Sequence, residues 1–226
     1  MPAIPGKALI LFAKYPRPGS VKTRFSPPFT PEEAAALYRC MLLDTIAAVS
    51  RLDNIDRYLF YVADPDADDY FRSAAGEMTT LPQRGGDLGE RMAGAFRLLF
   101  GKGYREVTII GSDSPDLPGE FIADAFRRLG DGADAVFGPT GDGGYYLLAM
   151  KQLQEELFRD IPWSSGDVLC RSLAVAEENG LQVALLPLWH DLDTVVDLLR
   201  PELLREENGA ALTREFVLHW TKSRSR

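Results

Sequence analysis

The 226 residues carry 46% hydrophobic and 26% charged side chains, with 20 Gly, 15 Pro and no low-complexity run. That composition excludes a disordered chain and provides for an apolar core without disulfides or a structural metal. The formal net charge of −8 argues against a nucleic-acid polymer or an anionic membrane as general partner.

The apolar run ALILFA at 8–13 is far shorter than the roughly 20 residues of a membrane span. It also lacks the basic flank of a secretory signal, so the cytoplasm is the expected location. Cys40, Cys170, His190 and His219 lack the close spacing of a zinc site. Cys40 sits in an apolar helical pattern and reads as a packed small hydrophobe.

In chain order, 7–15 is a buried strand, and 16–24 (PRPGSVKTR) is a loop without periodicity. Thr30-Pro31-Glu32-Glu33 opens a helix that runs to about 50, with Thr30 as N-cap. A strand is expected at 57–62, a short helix at 65–75 and a longer one at 87–101. VTIIG (107–111) is a third strand, followed by a helix at 118–130 and strands at 133–137 and 145–150. A helix follows 165, a strand spans 182–186, and a short helix opens at 194. The tail at 202–220 is expected to be helical and 221–226 to fray.

Strands separated by helical stretches imply βαβ crossovers and a mainly parallel mixed sheet in a three-layer α/β/α arrangement. One domain over 1–226 is the economical reading, with a core at 7–200 and a helical extension at 201–226. Ligands of such sheets lie outside the carboxyl ends of the strands. Loops 14–24, 111–116 and 138–144 leave those ends.

Charge is concentrated in the first of these loops. Five cations (Lys7, Lys14, Arg17, Lys22, Arg24) precede the first acid, Glu32, so the first 31 residues carry +5 and the remaining 195 carry −13. Lys14, Lys22 and Arg24 suit the oxygens of a phosphate, the alternative being a solvated basic loop. Known phosphate motifs are missed narrowly. Val21 replaces the glycine that a P-loop needs before Lys22, and no G-x-G-x-x-G follows the first strand.

Asp113, at the end of the VTIIG strand, is placed for Mg²⁺ or Mn²⁺ or for a turn. Asp116, before Leu117-Pro118, reads as a cap. In Gly141-Asp142-Gly143-Gly144 only small residues would let a ligand approach. Asp142 could accept sugar hydroxyls or act as general base, and D-G-G is equally a tight hairpin. Trp163, before Ser164-Ser165, is either an acceptor wall or a packed aromatic.

Together these strings resemble a bacterial family of GT-A-type glycosyltransferase-like proteins in the nucleotide-diphospho-sugar transferase superfamily, long catalogued as a domain of unknown function. The resemblance rests on FAKYPRPGSVKTR (12–24), QRGGDLGERM (83–92), GSDSPDLP (111–118), GPTGDGGYYL (138–147) and DLDT (191–194). It covers roughly 7–200 and departs where Val195-Val196 replace a usual Pro-Glu.

The resemblance implies a GT-A fold, with Gln83, Gly86 and Asp87 near the base or ribose, although Asp87 also suits a helix N-cap. It implies a second acidic metal ligand at Asp193, with Asp191 behind it. Asp193 could instead cap the helix at 194. The implied activity is a metal-dependent transfer of sugar from a nucleotide sugar, with Asp113 and Asp142 as the catalytic carboxylates and Gly143, Gly144 and Trp163 toward the sugar or acceptor. One alternative is a nucleotidyltransferase that joins a nucleoside triphosphate to a phosphorylated small molecule, and another is a non-catalytic nucleotide-binding protein. The apolar tail positions Leu203, Leu204, Leu212 and Phe216 pack either inward or across a homodimer.

Overall fold

An apolar run with no polar side must be covered on both faces, and β1 (Lys7–Ala13) is an interior strand of a seven-stranded sheet with 8–13 buried. The computed structural model describes residues 6–224. β1 pairs in parallel with β2 (Asp56–Tyr61) and β4 (Glu106–Ile110), and β2 with the edge strand β3 (Thr79–Pro82). β6 (Tyr145–Met150) runs antiparallel between β4 and β5 (Ala135–Pro139), and β7 (Val183–Leu185) joins β5 in parallel. The order β3-β2-β1-β4-β6-β5-β7 is the expected mainly parallel mixed sheet.

Alternation along β1 divides the core. Leu9, Leu11 and Ala13 face α1 (Pro31–Ser50), α2 (Ala67–Ala74) and α4 (Gly119–Gly130), where they meet Leu42, Phe71 and Phe126. Ala8, Ile10 and Phe12 face α3 (Leu88–Gly101) and α5 (Val168–Glu178), where they meet Phe96 and Val175. Period two on the strand thus produces the three layers. α1 starts where its capping box predicts: Thr30 accepts from the Glu33 amide at 3.2 Å, and Glu33 accepts from the Thr30 amide at 2.8 Å.

The outer face of α1 buries Ala34, Leu37 and Met41 beneath α6 (Ala211–Arg224). Buried Asp44 of α1 accepts from the Leu212 amide (3.1 Å), the Thr213 amide (2.8 Å) and the Thr213 hydroxyl (2.7 Å). One helix thereby caps another, satisfying donors that an N-terminus leaves open. Leu203, Leu204 and Phe216 pack inward here, whereas Leu212 is exposed.

The tail departs from expectation. Helix begins only at 211, after a turn at Glu206–Asn208, and continues through Arg224, where fraying was expected; 225–226 lie outside the described residues. The helix expected at 194 is a single 3-10 turn, Asp197–Leu199. Edge strand β3 was not foreseen, because four residues ending in proline carry too short a pattern. Among the described residues no helix is long and apolar enough to cross a membrane.

Replacing Asp44 with Ala strands two amides and a hydroxyl, at a cost of about 2–3 kcal/mol. The melting temperature should fall by roughly 5–10 °C, with Asp44→Asn in between. An unchanged melting curve would contradict the capping role.

Candidate functional site

In the sheet order, the chain leaves β1 toward β2 on one side and reaches β4 on the other. This reversal opens a crevice at the strands' carboxyl ends. A cavity of about 760 Å³ lies there, lined by the loops after β1, β4 and β5 and by 191–193. Lys14, Lys22, Arg24, Gln83, Asp113, Asp142, Gly144, Trp163, Asp191 and Asp193 all line it. The basic loop and the strand-end carboxylates therefore share one cavity.

The five early cations part company in space. Lys7 lies at the start of β1, beside Glu106 and over the Phe126 ring. Arg17 turns to Asp64 (2.6 Å) and Asp66 (2.8 Å), and its hydrogen bonds hold the Asp64 carboxyl down at about 2. Lys22 is only 6% exposed, and its ammonium meets Asp113 Oδ1 at 2.6 Å, the Leu192 carbonyl at 2.6 Å and Asp193 Oδ1 at 3.0 Å. An ammonium has three protons, and three acceptors surround it. Lys22, expected as a point charge for phosphate, lines the cavity and here serves as counter-ion to Asp113 and Asp193. Its φ of +48° is uncommon for a side-chain-bearing residue, and such strain persists only where surroundings over-determine it. Lys14 and Arg24 remain facing the cavity. Arg24 is largely exposed with one contact to Asp193 Oδ2 at 3.3 Å, and Lys14 forms no ion pair among the described residues.

The carboxylates sit on two loops tied together. The Leu192 amide donates to the Asp113 carbonyl at 2.9 Å, and the Ser114 hydroxyl donates to Asp191 Oδ1 at 2.6 Å. The Asp113 and Asp193 side chains stay 46% and 36% exposed. Burial first, then repulsion from Asp113, pushes the Asp191 carboxyl up to about 6.

Asp193 does not cap the turn after it. Asp197 does so, accepting from the amides of Asp193 (3.0 Å) and Thr194 (2.6 Å) and the Thr194 hydroxyl. Asp116 is not a cap either, since Pro118 precedes α4. It is buried 3.6 Å from Arg200, and burial raises its carboxyl.

Other expected positions divide between cavity and scaffold. Asp87 is the N-cap of α3, accepting from the Glu90 amide at 2.8 Å, and the Gly86 amide donates to Glu90 at 2.7 Å. Neither residue lines the cavity; both shape the loop beside it. Gln83 lines it, with its amide nitrogen donating to the Phe60 carbonyl at 2.9 Å. Asp142 lines it too, yet its Oδ1 accepts from Thr140 (2.5 Å) and the Gly144 amide (3.2 Å), which builds the β5–β6 turn. Gly143 does not face the cavity. At φ +89° a Cβ would come within 1.8 Å of the Gly166 carbonyl oxygen, so the close approach is to backbone and not to a ligand. Trp163 lines the cavity and packs so tightly on Gly89 that a Cβ there would approach its ring at 2.6 Å.

Sequence reasoning missed Tyr38, Ser112, Ser114 and Arg91, which also line the cavity. Buried Tyr38 accepts from the Lys14 amide at 2.9 Å and shares a 2.8 Å hydrogen bond with Ser112. The signal for the serines was their position on either side of Asp113. For Tyr38 it was membership of the sheet-facing stripe of α1.

A family model described as "Uncharacterized protein conserved in bacteria (DUF2064)" matches residues 45–165, more than half of the chain. The chain belongs to this family. The crystal structure of a proposed nucleotide-diphospho-sugar transferase from Desulfovibrio desulfuricans G20 is 34% identical, with a TM-score of 0.86 over 96% of this chain and 99% of that one. A cytidylyltransferase from Leptospira borgpetersenii (11% identity, TM-score 0.57, 97% and 94% covered) shares the fold. So does a 4-diphosphocytidyl-2C-methyl-D-erythritol synthase (14%, 0.58, 93% and 98%). No curated protein matches. The fold is that of the nucleotide-diphospho-sugar transferases, as the sequence strings imply.

Two outcomes follow for the charged centre. Lys22→Met removes a buried cation from partly solvated carboxylates and should cost about 2 kcal/mol, below the 3–5 of a fully buried pair. Calorimetric melting would detect it. Asp191 has a raised carboxyl, so its protonated form favours the native state. That contribution is complete below about pH 4 and is lost as pH rises through about 6. In chelator, Asp191→Asn should therefore gain stability over the parent above pH 6 and lose that advantage by pH 4. A difference independent of pH would contradict this.

Proposed function

We propose that the chain is a cation-assisted glycosyltransferase that moves a sugar from a nucleotide-diphospho-sugar to an acceptor hydroxyl. The observation that carries the reading is the crevice beyond β1 and β4, where Lys14 and Arg24 share a cavity with Asp113 and Asp193. The name of the Desulfovibrio protein supports it.

The donors present support Mg²⁺ or Mn²⁺ at this place. Across the cavity Lys14, Lys22, Arg24 and Arg91 are matched by Asp113, Asp142, Asp191 and Asp193, so no net positive charge stands ready for a diphosphate. A nucleotide diphosphate brings about two to three further negative charges, and such a site stabilises its departure only if positive charge is added. Among the described residues no three Asp, Glu, His or Cys side chains are gathered as one metal's ligands. Asp113 and Asp193, both open to the cavity, instead match the cation that keeps one or two carboxylates and completes its shell with phosphates and water. The residues fit a cation carried in with the nucleotide. When bound, it would act as Lewis acid toward the leaving diphosphate.

The chain's own residues supply the rest. Lys22 fixes Oδ1 of Asp113 and of Asp193, leaving Asp113 Oδ2 for the cation, and Asp193 Oδ2, 3.3 Å from Arg24, would join it as Arg24 turns to the phosphate oxygens. Arg24 offers a planar fork to phosphate oxygens and Lys14 a mobile point charge. Gln83, its amide nitrogen engaged by Phe60, presents its carbonyl oxygen as an acceptor for a base or ribose donor. Asp142 takes a proton from the acceptor hydroxyl through the carboxyl oxygen that the turn leaves open.

Nucleotidyl transfer is the second reading, and one observation favours it: Asp142 is engaged in its turn and no histidine lines the cavity. A phosphorylated acceptor is already a nucleophile and requires no base. The products discriminate. Glycosyl transfer releases a nucleoside diphosphate from a nucleotide sugar, whereas nucleotidyl transfer releases pyrophosphate from a triphosphate.

Calorimetric titration with a panel of nucleoside diphosphates should show binding in Mn²⁺ that is lost in chelator. Arg24→Ala should weaken it by about tenfold, the worth of one charged hydrogen bond. Asp113→Ala should remove the dependence on Mn²⁺. Failure of the whole panel to bind, or binding indifferent to Asp113, would refute the proposal.

A further inference from the structure

A second cavity, of about 870 Å³, lies between the edge strand β3 and α3, outside the crevice just described. Its floor is apolar: Phe60, Leu81 and Phe158 line it, and α3 contributes Ala93, Gly94 and Ala95, whose small size gives the groove depth. Leu98 lines it while remaining exposed. An open apolar groove of this size is a recognised mark of a binding site.

Its rim is the unusual part. On a chain of net charge −8, four arginines, Arg84, Arg91, Arg97 and Arg159, surround the groove with only Glu90 and Glu155 among them. Arg97 (2.7 Å) and Arg159 (3.1 Å) both converge on the carboxylate of Glu155, and Arg159 also lies 3.9 Å from Glu156. Glu90 is engaged by the Gly86 amide. The Nε of Arg91 donates to the Gly85 carbonyl at 3.1 Å, which consumes no charge. Arg84 forms no ion pair among the described residues. With Glu156 beside Arg159, four arginines meet three carboxylates, so the groove keeps an excess of about one positive charge, with Arg84 unpaired among the described residues, around an apolar floor.

We propose that this groove binds a small amphipathic anion, a single molecule with an aliphatic body and a phosphate or carboxylate head. The body displaces water from Phe60, Leu81 and Phe158, and the head meets the guanidinium of Arg84 and those that share Glu155. The inference goes beyond the proposed transfer reaction and does not depend on it. Arg91 also lines the crevice, so an occupant would touch the wall between the two cavities.

Octyl phosphate, titrated calorimetrically well below its micellar concentration, is the probe, with inorganic phosphate as head alone and 1-octanol as tail alone. Saturable one-to-one binding of octyl phosphate, at least tenfold tighter than either part, is the expected result. Leu98→Glu, at an exposed position that tolerates a polar side chain, places a like charge beside the ligand and should weaken binding by at least about tenfold. Arg84→Ala should weaken it less, by removing one head contact.

Both variants should keep the parent melting temperature and its response to nucleoside diphosphates with Mn²⁺. Absence of saturable binding, equal affinity for 1-octanol, or full affinity in Leu98→Glu would overturn the proposal. Competitive displacement by a nucleoside diphosphate would do so as well, by locating the probe in the crevice. Binding only to phosphatidic acid vesicles, and not to octyl phosphate, would indicate a membrane surface and would also overturn it.

Discussion

The ammonium of Lys22 is the point through which three distant parts of the chain are joined. It lies on the loop after β1, Asp113 on the loop after β4, and Leu192 with Asp193 on a segment some 170 residues further along. A buried ammonium is costly to desolvate, and only good geometry and full hydrogen bonding offset that cost. All three contacts being within 3.0 Å, the strained backbone at Lys22 and the open end of the sheet are held in one arrangement. Across the crevice four cations (Lys14, Lys22, Arg24, Arg91) meet four carboxylates (Asp113, Asp142, Asp191, Asp193), so no net positive charge stands ready for a diphosphate. That balance is the physical reason for proposing that a cation accompanies a nucleotide bound there.

Much of this was legible in the chain. ALILFA required a doubly covered strand, Thr30-Pro31-Glu32-Glu33 specified a helix start by capping chemistry, and five ordered strings pointed to the fold. The convergence of loops 14–24, 111–116 and 138–144 followed from a parallel sheet with ligands at its carboxyl ends. The limits were equally physical. Counting five cations near the N-terminus could not reveal that Arg17 is consumed by Asp64 and Asp66, Lys7 by Glu106 and Lys22 by the carboxylates themselves. Those partners lie 47 or more residues away in sequence. Of the five, only Lys14 faces the cavity without an ion pair among the described residues, and Arg24 has a single one, to Asp193.

Short polar motifs were ambiguous for a related reason. An aspartate before a helix can cap, ligate or pair, and the choice depends on which neighbour supplies the cap. Asp197 caps the turn after 193, which leaves Asp193 for Lys22 and Arg24. Pro118 precedes α4, which leaves Asp116 buried against Arg200. Asp87 and Gly143 went the other way. Each is occupied by local backbone, so the glycine-rich strings encode the shape of the crevice walls as much as contacts with what fills it.

The most direct test is a crystal of the protein grown with Mn²⁺ and a nucleoside diphosphate, with manganese located by anomalous scattering. Manganese bonded to Asp113 and Asp193, with the diphosphate oxygens on the metal and within reach of Arg24, is the predicted result. Manganese bound elsewhere, or a nucleotide lying outside the β1–β4 crevice while Lys22 keeps its three contacts, would contradict it.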